Sequence, residues 1–134
     1  MMNNKFEVVF MKKYSFIKEF WSWSEKHKFS KIDADLLPEM VAVCRKGDVS
    51  VYCCWIWKTD SKVIIPTYFM SNPDFKDRKG GLEALISDMI LHAKHHDKAK
   101  MIFVPTSSDV IANKLLKLGF VSGDEGGCQY FGHL

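Results

Sequence analysis

The stretch Ser71-Asn72-Pro73-Asp74-Phe75-Lys76-Asp77-Arg78-Lys79-Gly80-Gly81-Leu82-Glu83-Ala84-Leu85-Ile86 decides how this chain is read. Asn72-Pro73-Asp74 is turn chemistry, since proline presets φ while Asn and Asp bond the nearby backbone. From Leu82 the apolar residues recur at Leu85, Ile86, Met89, Ile90 and Ala93, the i, i+3, i+4, i+7 spacing of an amphipathic helix. Between turn and helix lie Lys76, Arg78 and Lys79, followed by Gly80 and Gly81. A basic, glycine-containing loop that opens a helix gathers backbone N–H groups and the positive end of the helix dipole at one point. That combination suits an anion such as phosphate, and glycine lets the backbone approach it closely. The bare pattern also suits a solvated turn, and both readings stay open at this level.

Upstream of the loop the pattern is that of strands. Lys5 to Met11 reads as a first strand, and Ser15 to about Lys28 as a helix with Phe16, Ile17, Phe20, Trp21 and Trp23 at helical spacing. These aromatics read as core. Asp33 to Leu37 adds a short helical turn before Pro38. A meander of Glu39–Cys44, Val49–Trp57 and Val63–Met70 follows, with turns at Arg45–Asp48 and Lys58–Lys62. Pro66 removes a ladder donor, which places it at a bulge or an edge. Downstream come a strand at Lys100–Val104 and a helix at Asp109–Leu118, capped by Ser108 and closed by Gly119. Val121 and Cys128–Phe131 supply terminal strands around the glycine-rich turn 122–127. The order β-α-β-β-β-α-β-α-β predicts an α/β (α+β) fold, a mixed β-sheet flanked by helices. Leu118 is expected to close the apolar face of the last helix, so that Leu118→Asp unfolds the chain.

The chain has 134 residues, 47% hydrophobic and 26% charged, with a formal net charge of +3. This is one domain's worth of ordinary globular composition, read as a single domain over 1–134. No apolar run approaches the roughly 18 residues of a membrane span, and Val8-Val9-Phe10-Met11 is too short for a secretory leader. The expectation is a cytoplasmic protein with no membrane partner. The charge is too small and too evenly spread to indicate nucleic acid, and no RRM, KH or helix-turn-helix pattern accompanies Lys94, Lys98 and Lys100. Cys44, Cys53, Cys54 and Cys128 lack C-x-x-C spacing and read as buried thiols in a reducing compartment. His92, His95 and His96 share one helix without an acidic or Cys partner placed by spacing, so they read as a solvated edge and no metal is expected. No G-x-S-x-G elbow supports a Ser or Cys nucleophile.

The loop and helix at 71–86, the strand Lys100-Ala-Lys-Met-Ile-Phe-Val-Pro105 and the helix end Lys114-Leu-Leu-Lys-Leu-Gly-Phe120 together resemble the GNAT superfamily of N-acyltransferases. The resemblance covers about Pro38 to Phe120, and Leu37-Pro38-Glu39 and Thr59–Lys62 resemble a small phage-encoded subgroup. It implies a twisted mixed sheet whose central parallel strands splay apart, with Pro105 weakening the pairing beyond Val104. It implies acetyl-CoA as co-substrate in that gap, held by Arg78, Lys79, Gly80 and Gly81, with the Met70 backbone N–H polarising the thioester carbonyl. An amine on a small molecule or a protein is the implied acceptor. In the family's Q/R-x-x-G-x-G/A loop, aligning Gly80 first puts Asp77 at the Q/R place and Leu82 at the second small position. Aligning Gly81 first restores Arg78 but brings Glu83 there. The family's tyrosine falls at Leu115, which has no proton to give, and Val63–Met70 lacks the usual glutamate. Tyr68 and Tyr130 are the nearest ionisable candidates, and Leu115→Tyr is expected to raise turnover or leave it unchanged. Two readings follow: an acyl-CoA-dependent N-acyltransferase, or a non-catalytic module of the same fold, structural or for interaction.

Overall fold

Period-2 alternation sends neighbouring residues of a strand to opposite faces, and the meander uses it to build two cores at once. The structure, a computed structural model, describes residues 5–123 and 128–134. Strands β1 (Glu7–Lys12), β2 (Met40–Lys46), β3 (Val49–Lys58) and β4 (Val63–Ser71) pair antiparallel in sequence order. Helix α1 (Ile17–Lys26) follows a 3₁₀ turn at Lys13–Ser15, and α2 (Gly81–His95) crosses from β4 to β5 (Met101–Pro105). Helix α3 (Asp109–Lys117) leads to β6 (Val121–Ser122) and β7 (Gln129–His133), giving the sheet order β1-β2-β3-β4-β5-β7-β6. The β4–β5 pair is the parallel one among the described strands. Of the glycine-rich turn, residues 124–127 lie outside the described residues.

One sheet face carries Ala42, Cys44, Cys54 and Ile64 against Leu85, Ile86 and Met89 of α2 and Leu115 of α3. The other carries Val41, Val43, Cys53 and Trp55 against Phe16, Phe20 and Trp23 of α1. The aromatic run of α1 is therefore core: the Phe20 and Trp55 rings meet edge to face at 5.2 Å. Lys13 is buried as well, its Nζ donating to Ala34 O at 2.8 Å and lying 3.6 Å from Glu39 Oε1. No helix among the described residues is long and apolar enough to cross a membrane.

The last helix departs from expectation at one residue. Leu118 is 48% exposed, and Phe120 is buried in its place. Gly119 adopts φ +93°, so the helix ends before Leu118 can rejoin the apolar face. Phe120 N–H donates to Leu115 O at 3.0 Å and Gly119 N–H to Leu116 O at 3.1 Å. These are the two bonds of a Schellman motif, which swings the residue after the glycine back onto the helix.

Cys53 and Cys54 face opposite cores, and Cys44 is buried beside Cys54's side of the sheet. Burial pushes the Cys44 thiol up to about 12 and raises Cys53 and Cys54 well above the ordinary thiol value. Only a thiolate attacks disulfide reagents. A chromogenic disulfide is therefore expected to titrate one thiol per native chain, the exposed Cys128, and all four cysteines after denaturation. Rapid native labelling of more than one would contradict this placement.

Candidate functional site

The parallel pairing of β4 and β5 runs through Val63–Met101 and Ile64–Ile102, and beyond those pairs the strands part. Pro105 does not start the splay, because the β4–β5 pairs end at Ile64–Ile102, three residues before it. The cause lies in β4. Cys53 pairs with Met70 and Trp55 with Thr67, so Cys54 alone faces both Tyr68 and Phe69. This bulge bends β4 and increases its twist, which carries it away from β5. Tyr68 sits in it with φ +51°, a strained conformation for a bulky side chain. Pro66 is fully buried just before the bulge, where pairing to β5 has ended two residues earlier and an N–H is not needed on that side. The resulting groove, about 240 Å³, is lined by Tyr52, Met70, Ser71, Leu82, Ser108 and Ile111, among others.

The basic loop stands at one end of this groove and is tightly built. Asn72 is buried, donating from Nδ2 to Ser50 O at 2.9 Å and accepting from the Asp74 N–H at 2.9 Å. Arg78 turns its guanidinium inward, Nη1 donating to Asn72 O at 2.8 Å and Phe75 O at 3.2 Å. Its charge braces the loop, while Lys79 is exposed. Asp77 pairs with Lys46 of β2. Gly80 takes φ +89° ahead of the helix, a left-handed value that favours glycine. Gly81 starts α2, and a Cβ on it would lie 3.1 Å from the Tyr52 ring and 3.2 Å from Phe6. The Gly81 N–H donates to Arg78 O at 2.9 Å. Of the next amides, the Leu82 N–H has no acceptor one turn back within the helix, while the Glu83 N–H donates to its own side-chain carboxylate.

Glu83 and Lys114 join α2 to α3 at 2.7 Å beside the groove. The hydrogen bond from Lys114 holds the Glu83 carboxyl below its ordinary value, so it is an anion at neutral pH. An anion in the first turn suits the helix dipole but opposes any phosphate brought to the same amides.

On the opposite sheet face, the end of α1 leans on the same stretch of β4. Ser24 Oγ lies 3.8 Å from Met70 Sδ, Lys26 pairs with Asp74, and His27 Nε2 lies 2.8 Å from Ser71 O. Nothing in the sequence marked His27, because the contact spans 44 residues and depends on how α1 docks. The Met70 amide bears on the Cys53 thiol, where its hydrogen bond works against the larger upward push of burial. Of the other sequence candidates, Met70 lines the groove, whereas Tyr68, 44% exposed, and Tyr130 on β7 lie outside its lining. Leu115 is fully buried among the core residues under α2 and α3. A tyrosine grafted there enters packed apolar surroundings, so the expectation of unchanged or higher turnover gives way to one of overpacking.

No protein-family model matches the chain, and no curated sequence matches it. Solved structures do. It superposes on yncA from Salmonella typhimurium, solved with its cofactor acetyl-CoA, with a TM-score of 0.70 and 14% identity over 98% of this chain and 95% of that one. It superposes on the ribosomal-protein-S18-alanine N-acetyltransferase of Escherichia coli with a TM-score of 0.68 and 10% identity, covering 93% and 90% of the two chains. For an acetyltransferase of the GNAT family from Staphylococcus aureus Mu50 the values are 0.65 and 14%, over 96% and 99%. With the splayed β4–β5 pair, the β4 bulge and the loop that opens α2, these matches show that the chain has the GNAT fold.

Proposed function

We propose that this protein is an acyl-CoA-dependent N-acyltransferase that moves an acetyl group to an amine on a small molecule or a protein. The observation that carries the reading is the groove beside the splayed end of β4, with Met70 and Ser71 on one wall, Ser108 and Ile111 at the start of α3 on the other, and Leu82 at the start of α2 beside them. The residues present fit acetyl-CoA as co-substrate. Gly80 and Gly81 bring backbone close, the Leu82 N–H lacks an acceptor within the helix, and Lys79 adds an exposed cation. When bound, the thioester supplies an activated acyl carbon. The amine nitrogen bonds to that carbon, the C–S bond breaks, the thiolate departs and the nitrogen gives up a proton.

This chain's own residues orient and relay. Just past the bulge, Met70 and Ser71 line the groove while staying paired with Cys53 and Tyr52 of β3. Tyr68 on β4 and Tyr130 on β7, both outside the groove lining, are the candidates to pass the amine's proton on through water. The thiolate leaves without a tyrosine donor, since Leu115 belongs to the core. A cytoplasmic setting suits the three buried, unpaired thiols. The likeness of Leu37–Glu39 and Thr59–Lys62 to a phage-encoded subgroup extends to a proposed phage origin.

One observation favours the second reading, a non-catalytic member of the fold: the Glu83 carboxylate stands in the helix turn that a pyrophosphate would approach. Two measurements separate the readings. Acetyl-CoA is expected to bind in calorimetry and to raise the melting temperature, the stabilisation reaching about 2.7 kcal/mol at 100-fold over Kd. Thiol release with a panel of amines is then expected to exceed the rate without amine. Binding without release makes the protein a non-catalytic module, and no heat at millimolar acetyl-CoA removes the cofactor reading altogether.

A further inference from the structure

We propose that His92, His96 and Asp97, at the far end of α2 from the basic loop, form a binding site for a divalent transition-metal ion of the Zn²⁺ class. The donor atoms of these three residues all lie within 4.8 Å of one another. His92 Nε2 and Asp97 Oδ2 face each other at 3.9 Å, and His96 Nδ1 lies 3.1 Å from Asp97 Oδ1. Ligands about 2.0–2.2 Å from a tetrahedral ion stand roughly 3.3 Å apart. The set is therefore slightly open, and the His96 side chain, 67% exposed, has room to close it.

Two features separate this cluster from a solvated helix edge. Its inner atoms are orphaned: His92 Nε2 and Asp97 Oδ2 are both buried and neither has a hydrogen-bond partner. Leaving such atoms bare is costly, and in folded proteins nearly all are satisfied by protein, water or an ion. The second feature is electrostatic. The Asp97 side chain is only 8% exposed and lies just past the carboxyl end of α2, where the helix dipole disfavours an anion. Lys58 reaches its Oδ1 at 3.1 Å, but Oδ2 points at the His92 nitrogen and away from that cation's hydrogen bond. An ion between Oδ2 and the two imidazoles satisfies both orphaned atoms, with His96 Nδ1 exchanging its hydrogen bond to Oδ1 for the ion while Lys58 keeps Oδ1.

The fold holds the ligands in place. The Asp97 N–H donates to His92 O at 3.2 Å and Ala99 N–H to Ala93 O at 2.9 Å, which folds the acid back over the helix end. Phe10 of β1 stacks on the His92 ring at 3.9 Å and fixes its plane. Two neutral imidazoles with one carboxylate are a Zn²⁺ donor set, and three protein ligands leave a fourth position for water or a bound molecule. The spacing of His92 and His96 was legible in the sequence; the buried Asp97 oxygen beside them was not.

Zn²⁺ displacement from a chromogenic chelator, on full-length protein without a histidine tag, tests the site. One ion per chain is expected, with micromolar or tighter affinity, together with a rise in melting temperature. His92→Gln, His96→Ala and Asp97→Asn should each weaken binding tenfold or more, and His95→Ala should not. Circular dichroism in chelator checks that each variant folds; the exposed His96→Ala carries the test if a buried variant does not. Absence of stoichiometric Zn²⁺ binding overturns the proposal. So does wild-type affinity in a folded His96→Ala variant, or an equal loss in His95→Ala.

Discussion

Leu115→Asp is expected to leave the chain unfolded, while Leu118→Asp, at the cap just past the end of the helix, is expected to cost about 1 kcal/mol or less. Leu115 is fully buried and Leu118 is 48% exposed. The first change removes a packed leucine, worth about 2–5 kcal/mol. It also places a carboxylate among packed apolar core side chains, which costs several kcal/mol more or forces protonation. Domains of this kind have only about 5–15 kcal/mol in total. At Leu118 the new acid meets water and only the unfavourable end of the helix dipole. Urea melts followed by circular dichroism check both. A cooperative, near-wild-type melt for Leu115→Asp, or collapse of Leu118→Asp, would show that α3 does not end in the Schellman turn described above.

Gly81→Val is expected to lower stability by about 1–3 kcal/mol and to weaken acetyl-CoA binding tenfold or more. The sequence suggests that a side chain here crowds the phosphate. The geometry points inward instead: a Cβ at Gly81 meets the Tyr52 ring at 3.1 Å and Phe6 at 3.2 Å, before any ligand is considered. Those rings must yield, and the start of α2 moves off β3 with the amides it presents. Lys79→Gln is the complementary variant. It leaves packing intact, since Lys79 is exposed, and should weaken binding by an amount that shrinks as salt is added. Chemical denaturation and a calorimetric titration on both variants separate the effects. If Gly81→Val keeps both stability and affinity, neither the packing nor the placement of the cofactor at this helix start is right.

The course of the chain was written plainly in its residues wherever a periodicity ran long enough. The 3.6-residue spacing from Leu82 to Ala93 and the alternation through Val49–Trp57 need only local backbone geometry, and both elements stand where the pattern put them. Ser108 accepts a hydrogen bond from the Ile111 N–H at 3.3 Å, as its capping position suggests. The basic glycine loop was equally visible as a helix start. Which atoms of that loop meet solvent was not visible. Arg78 looks like a ligand for an anion in one dimension, yet its guanidinium is bound to Asn72 and Phe75 carbonyls three to six residues back.

What the amino-acid sequence determined by itself was the order of elements, the anion-suited helix start and the GNAT resemblance, because each rests on neighbours along the chain. The tertiary structure decided what depends on contacts between distant residues. The β4 bulge, and not Pro105, opens the groove, since a bulge is a mismatch between two strands and a single strand does not reveal it. Docking of α1 brings His27 to Ser71 across 44 residues, and the turn after α2 buries Asp97 beside His92. Leu118 and Phe120 exchange burial because one glycine at φ +93° redirects the backbone by more than periodicity can anticipate. Periodicity is a property of one element, whereas a site is made where several elements meet, and only packing chooses that meeting place.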